Sequence, residues 1–138
     1  EKEKLYIPIT KGIDHGEIII LRDKGNIQNE RLKGDIKLFI NIKNKSEFKR
    51  EGLNLVLSKK ITLKEALTGF TFDIKHLNGK TYSINNENGN VVCYNYIKEI
   101  PGLGMIREGV HGKLVIKFDV IFPEKLSAEQ ITTLKDIL

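Results

Sequence analysis

The sequence predicts a mainly β chain with one short internal helix and a C-terminal helix. Three observations carry this. Apolar and polar residues alternate with period two over residues 35–43, 53–58, 70–75 and 112–121, the pattern of strands that lay one face on a core. Asn78-Gly79 stands between two apolar-patterned stretches, the strongest short hairpin signal. Two capping boxes, Thr62 with Glu65 and Ser127 with Gln130, mark helix starts. The 138 residues suit one medium domain or two small β-rich subdomains. At this size roughly two-thirds of the unfolded surface is buried on folding, so a core forms without disulfide or metal.

Taken in order, Leu5, Ile7 and Ile9 alternate with Tyr6, Pro8 and Thr10 as a strand, at an edge because Pro8 has no N–H for a ladder. The chain begins directly in this pattern, which suggests a segment of a longer protein. Residues 17–21 hold the run Ile-Ile-Ile-Leu, expected to be a strand buried on both faces. Residues 22–34 are polar and glycine-bearing, a loop. In residues 35–43, Ile36, Leu38, Ile40 and Ile42 share one face, with Phe39 among polar groups on the other.

Leu53, Leu55 and Leu57 give the next strand. Thr62 and Glu65 then start a helix that Gly69, as a left-handed residue, ends after five or six residues. Beyond it the hairpin register is decided by the apolar match. A two-residue loop pairs Ile74 with Ser83, whereas a three-residue loop, Leu77-Asn78-Gly79, pairs Ile74 with Tyr82 and Phe72 with Ile84. A slip of one residue flips every side chain, so the three-residue loop is expected. Asn88-Gly89 marks another turn and residues 91–97 another strand, broken by Pro101-Gly102-Leu103-Gly104. Gly112 opens the clearest strand, with Leu114, Ile116, Phe118 and Val120 inward, and Pro123 stops it. In the terminal helix Leu126 and Ile131 form a hydrophobic staple, and Ile131, Leu134, Ile137 and Leu138 share one face. So short a helix is marginal alone, so this face must dock on the domain or on a partner chain.

Composition excludes several classes. No run of about 18 apolar residues marks a membrane helix, and the N-terminus has no signal-peptide pattern. A single cysteine, Cys93, permits neither an internal disulfide nor a Cys-rich zinc site, which suits a reducing compartment; it is read as a small core residue. His15 and His111 neighbour glycines in loops, and His76 ends a hairpin strand, with no paired ligand spacing among the three. Gly-Leu-Gly at 102–104 lacks the third glycine and the helix of a dinucleotide site. No cofactor and no enzymatic activity is expected. The net charge of +5 allows acidic partners, but basic and acidic residues are interleaved, as on a solvated surface.

Four passages resemble the C-terminal substrate-binding region of DnaJ-type J-domain cochaperones (the heat-shock protein 40 family), of the class without a zinc insert. Phe48-Lys49-Arg50-Glu51-Gly52-Leu53-Asn54-Leu55 is similar to that family's FKRDGDDL, and residues 61–69, ITLKEALTG, to its SLxEALxG. Leu77-Asn78-Gly79-Lys80 resembles LDGR, and residues 112–123, GKLVIKFDVIFP, resemble GDLxVxFxVxFP. Thr10-Lys11-Gly12 and Gly16 fit the KPGxxxG loop, and Pro101-Gly102-Leu103-Gly104-Met105 fits PGxGMP with Ile106 in place of its proline. The order and spacing agree over nearly the whole chain.

The resemblance implies tandem small β-sandwich subdomains: a partial first, client-binding one over residues 1–51, a second over 52–125, and a dimerisation helix over 126–138. The family's first strands have no counterpart, because the chain begins partway through that subdomain. It implies a groove for non-native polypeptide at Leu38, with Ile36 and Ile40 on the same face; plain core packing is the equal alternative. It implies a homodimer through Leu126, Ile131, Leu134, Ile137 and Leu138, a cytoplasmic setting, no membrane contact, and delivery of clients to a DnaK-type (heat-shock 70) chaperone through the full-length protein. No His-Pro-Asp motif is present, so this segment does not itself stimulate that chaperone's ATPase. Two rivals stand beside this reading. One is a basic β-domain that binds nucleic acid, though no aromatics interleave with a basic strand face as stacking readers need. The other is a purely structural dimerisation module.

Overall fold

The computed structural model describes residues 4–22 and 34–138. Its elements are β1 (Ile18–Leu21), β2 (Ile36–Phe39), β3 (Lys49–Glu51), β4 (Asn54–Thr62), α1 (Leu63–Thr68), β5 (Phe70–Lys75), β6 (Thr81–Asn86), β7 (Ile97–Arg107), β8 (Val110–Ile121) and α2 (Ala128–Ile137). Among the described residues the strands form three sheets, β1-β2, β3-β4-β8-β7 and β5-β6. The chain is mainly β with two helices, as its periodicity predicts.

By packing the chain divides into two compact units, each made of two segments: Glu1–Leu57 with Glu99–Val115, and Ser58–Lys98 with Ile116–Leu138. In the first, Phe48, Leu55, Val56, Leu57 and Leu114 are buried. Three of these are consecutive in β4, so that strand is covered on both faces there. Gly104 and Gly112 both press on the Leu53 carbonyl, where a side-chain carbon would collide with its oxygen. The Met105 N–H donates to that same oxygen at 2.7 Å. These glycines are needed for close approach of backbones, not for their dihedral freedom.

In the second unit α1 is bounded as its sequence requires. The Glu65 N–H donates to Thr62 Oγ1 at 3.1 Å and the Thr62 N–H to Glu65 Oε1 at 3.0 Å. Gly69 ends the helix with φ 105° and ψ 164°. Its φ is positive but its ψ is extended, and a Cβ there would lie 2.6 Å from the Asn86 carbonyl oxygen. β5 and β6 pair Ile74 with Tyr82 and Phe72 with Ile84, so the apolar match selects the three-residue loop. Gly79 has φ 85°, and buried His76 closes the hairpin, accepting at Nδ1 from the Asn78 N–H at 3.1 Å. Phe118 of β8 packs against Phe70, Phe72 and Tyr96, with ring centroids 5.4, 6.2 and 5.8 Å away.

Several expectations are corrected. Residues 4–10 form no strand, and Tyr6, Ile7 and Ile9 are exposed. Alternation equips a segment for a ladder, but a ladder needs a partner, and none of the described strands pairs there. β1 is not buried on both faces: Ile18 and Ile20 are exposed while Ile19 and Leu21 are half-buried. The apolar face of residues 35–43 holds as far as Ile40, but β2 ends at Phe39 and Ile42 is exposed. The loop over 22–34 falls, beyond Arg22 and before Gly34, outside the described residues.

Residues 91–96 form a turn around Asn95, at φ 60°, rather than a strand. Cys93 is exposed and its neighbour Val92 takes the buried place. Pro101-Gly102-Leu103-Gly104 does not break the chain; β7 runs through it. β7 is an edge strand, where one side has no ladder partner and proline is tolerated, and Gly102 takes a positive φ of 82° within it. Glu108-Gly109 then links β7 to β8 with both residues at positive φ, 49° and 79°, as a two-residue hairpin turn of type I′ requires. His111 accordingly lies in β8, exposed, and not in a loop.

Candidate functional site

Two apolar surfaces stand out, one in each unit. In the first, β1 and β2 are antiparallel, with Ile19 opposite Leu38, Leu21 opposite Ile36 and Ile18 opposite Phe39. The ladder continues beyond β2, since the Ile40 N–H donates to the Glu17 carbonyl and the Gly16 N–H to the Ile40 carbonyl, both at 2.8 Å. Successive side chains alternate between faces. Ile36, Leu38 and Ile40 therefore share one face with Ile19 and Leu21, and all five are half-buried. The opposite face carries Ile18, Ile20 and Phe39, which are 51%, 44% and 70% exposed. Phe39, a lone exposed aromatic by sequence, thus belongs to an apolar patch built across two strands. The run of three isoleucines in β1 was the signal: it leaves apolar side chains on both faces wherever one face is not covered.

This small sheet is anchored by charge. Arg50, from the passage FKREG, donates from Nη1 to the Ile13 carbonyl and from Nη2 to the Gly12 carbonyl, both at 2.6 Å, and from Nε to the Gly52 carbonyl at 2.7 Å. Arg107, at the end of β7, forms a two-pronged pair with Glu17, at 2.5 and 2.6 Å. The Asp14 N–H also donates to the Glu17 carboxylate. The loop before β1 is therefore held by two guanidinium forks, whose planar donor geometry suits carbonyl and carboxylate oxygens. None of this was visible in the linear sequence, because Glu17 and Arg107 lie 90 residues apart.

The hydrogen bonds from Arg107, then the one from the Asp14 N–H, hold the Glu17 carboxyl down from 4.5 to about 2, and the same pair raises Arg107. A carboxyl whose folded pKa is depressed stabilises the fold above its ordinary pKa and loses that contribution as pH falls through the folded value. The stability advantage of the parent chain over Glu17→Gln should therefore be fully present above about pH 5 and shrink towards pH 2. Urea unfolding of both proteins across that range measures it; a gap that does not change with pH would refute the role of this carboxylate. Both side chains are about a third exposed, 32% and 31%, so the gap should also narrow with salt.

In the second unit a cavity of about 480 Å³ opens between α1, the end of β8 and α2, lined by Leu63, Leu67, Ile121, Phe122, Leu126 and Leu134 among others. α2 starts as predicted: the Gln130 N–H donates to Ser127 Oγ at 3.1 Å and the Ser127 N–H to Gln130 Oε1 at 2.9 Å. None of its residues is buried. Of the five residues singled out for self-association, Leu126 and Leu134 meet at this cavity, and both also line a second hollow with Glu129, Gln130 and Thr133. Ile131, Ile137 and Leu138 do not line either; they are 42%, 73% and 87% exposed. Sequence reasoning missed Leu63, Leu67, Ile121 and Phe122. For Ile121 and Phe122 the signal was present at the end of β8 and just after it, where both are apolar although Lys113, Lys117 and Asp119 take outward positions earlier in the strand; Leu63 and Leu67 are apolar positions of α1.

Among the described residues no group of three His, Cys, Asp or Glu side chains is placed to hold a metal ion, and no helix is long and apolar enough to cross a membrane. Both surfaces are apolar and in part open to solvent.

The described residues make a β-rich chain with two apolar surfaces. Residues 1–123 match the family model for the DnaJ C terminal domain, and the chain belongs to that family. It is 34% identical over 141 residues to chaperone protein dnaJ 3 of Arabidopsis thaliana, covering 100% of this chain and 34% of that protein. It is 33% identical over 146 residues to DnaJ homolog subfamily A member 4 of Mus musculus, covering 100% of this chain and 36% of that protein. Against DnaJ protein homolog 1 of Allium porrum the identity is 32% over 141 residues, with 100% and 36% covered. The chain thus spans about a third of the length of the curated relatives it matches. These relatives are DnaJ chaperones of type A, so the class without a zinc insert, expected from the sequence motifs, finds no support among them.

Proposed function

We propose that the chain is the client-holding and self-associating part of a J-domain cochaperone. It holds non-native polypeptide and forms a homodimer, so that the full-length protein delivers clients to a DnaK-type chaperone; it acts in the cytoplasm and catalyses no reaction itself. The division into a partial client-binding subdomain (1–51), a second subdomain (52–125) and a dimerisation helix (126–138) belongs to this proposal. The observation that carries it is apolar surface left open on regular secondary structure, half-buried at Ile36, Leu38 and Ile40 on the small sheet of one unit and along an uncovered helix in the other. Surfaces of this kind on soluble proteins mark contact sites.

The client segment lies along the β1–β2 sheet with apolar side chains against Leu38, Ile36 and Ile40, adding main-chain hydrogen bonds at a strand edge. Leu126, Ile131, Leu134, Ile137 and Leu138 meet a second copy. One experiment addresses both parts. Binding of a fluorescent apolar peptide is measured for the parent chain, Leu38→Ser and Phe39→Ser, and each is sedimented beside a chain cut after Lys125. The expected results are roughly tenfold weaker peptide binding for Leu38→Ser, corresponding to about 1.4 kcal/mol, and a dimer that becomes a monomer on cutting. Loss only in Phe39→Ser would move the client to the opposite face, and an unchanged dimer would remove the helix from the interface. Peptide affinity that fell steeply with salt would instead point to the charge-driven binding typical of a nucleic-acid partner.

A further inference from the structure

The sequence contains two Asn-Gly pairs, Asn78-Gly79 and Asn88-Gly89, and the fold treats them differently. We infer that Asn88 is a site of spontaneous deamidation in the folded protein and that Asn78 is protected from the same reaction. The reaction starts when the backbone nitrogen of the following residue attacks the asparagine Cγ. A C–N bond forms, the nitrogen gives up its proton to water, and ammonia leaves with the side-chain nitrogen, closing a five-membered succinimide. Water then opens the ring at either carbonyl, leaving aspartate or isoaspartate. Glycine favours the attack because it has no side chain to crowd the approaching nitrogen.

At Asn78 every participating group is committed. The attacking nitrogen, Gly79 N, donates to the His76 carbonyl at 3.0 Å. The side-chain oxygen accepts from the Lys80 N–H at 2.9 Å, and Nδ2 donates to the Tyr82 hydroxyl at 3.0 Å. The Asn78 N–H is itself tied to His76 Nδ1 at 3.1 Å. Rotating Cγ towards Gly79 N breaks three of these bonds and opens a hairpin whose register is set on both sides. At Asn88 the side chain makes one long contact, from the Asn90 N–H to Oδ1 at 3.4 Å, and the Gly89 N–H has no hydrogen-bond acceptor among the described residues. The segment is exposed, and Gly89 has open space around it. Only that long contact opposes the rotation that brings Cγ onto the nitrogen.

Each hydrogen bond that must break before attack slows the reaction several-fold, so Asn88 should react about tenfold faster than Asn78, or more. The product matters locally. Isoaspartate inserts an extra backbone carbon into the short loop that Asn86 Nδ2 closes by donating to the Asn90 carbonyl at 3.1 Å, and either product adds one negative charge.

The test incubates the folded chain at neutral pH and, separately, in urea, then digests with trypsin. Cleavage after Lys75, Lys80 and Lys98 separates the two sites, Asn78 in residues 76–80 and Asn88 in residues 81–98. Mass spectrometry should show deamidation accumulating in 81–98 at least about tenfold faster than in 76–80 in the folded chain, and the gap closing in urea. An Asn88→Gln chain, incubated alike, should lose the signal in 81–98, which excludes the other asparagines of that peptide. Equal rates in the folded chain, faster reaction at Asn78, or a gap that persists in urea would each overturn the inference.

Discussion

Replacing Gly112 by alanine should destabilise the chain by about 3 kcal/mol, at the upper end of what forced overpacking costs. The added methyl would sit far inside van der Waals contact distance of the Leu53 carbonyl carbon and oxygen, and 3.0 Å from Leu53 Cβ. A flexible side chain could turn away; a carbonyl can retreat only if the backbone moves. That backbone is fixed, because the Leu53 oxygen also accepts from the Met105 N–H and Gly104 presses on it from another strand. With a urea dependence of about 1–3 kcal/mol per molar, the midpoint should fall by one molar or more. A loss below about 1 kcal/mol would mean that β8 slides without cost. The glycine that opens the family passage GKLVIKF is thus a packing requirement, not a turn.

Phe118→Ala should cost a comparable amount in the second unit, about 3–5 kcal/mol, the usual range for deleting a buried phenylalanine ring. Phe118 is 5% exposed and contacts the rings of Phe70, Phe72 and Tyr96 together. Its backbone N–H also donates to the Tyr96 carbonyl at 3.1 Å, so the turn at residues 93–96 leans on the same residue. Phe72 in turn has the Lys59 ammonium 4.6 Å from its ring centroid, which limits how far it can shift to refill the space. Phe118→Leu should recover more than half of the loss, since most of the volume is kept. A urea midpoint unchanged in Phe118→Ala would show that the cluster collapses onto itself and that the rings contribute little.

How much of this was legible beforehand depends on the kind of signal. The α1 and α2 caps, the register of the β5–β6 hairpin and the inward face of β8 were all readable, because each is decided by residues within about ten positions of one another. The hairpin is the sharpest case: the apolar pairing of Phe72 with Ile84 and Ile74 with Tyr82 admits one loop length, and the fold uses it. The apolar face of Ile36, Leu38 and Ile40 was readable for the same reason.

The misreadings share a cause as well. Residues 4–10 and 91–96 have strand-like composition, but a strand exists only when a partner edge is within reach, and that is settled by the rest of the chain. Pro101-Gly102 reads as a break in one dimension and is tolerated in three, because β7 stands at a sheet edge with one side unpaired. Cys93 and Val92 exchange their expected places because a turn, not a strand, decides which side chain points inward.

Local pattern, then, decided which segments are helix or hairpin, where they begin, and which face of each is apolar; these follow from hydrogen-bond caps and from the period of the backbone. Tertiary structure alone decided which apolar faces are covered. It joined Glu17 to Arg107 and Arg50 to the loop before β1. It left Ile18, Ile20 and Phe39 exposed, and it drew Leu126 and Leu134, but not Ile137 or Leu138, to one cavity. Burial and charge pairing depend on which distant segments meet, and that information lies in the packing of the whole chain rather than in any stretch of it.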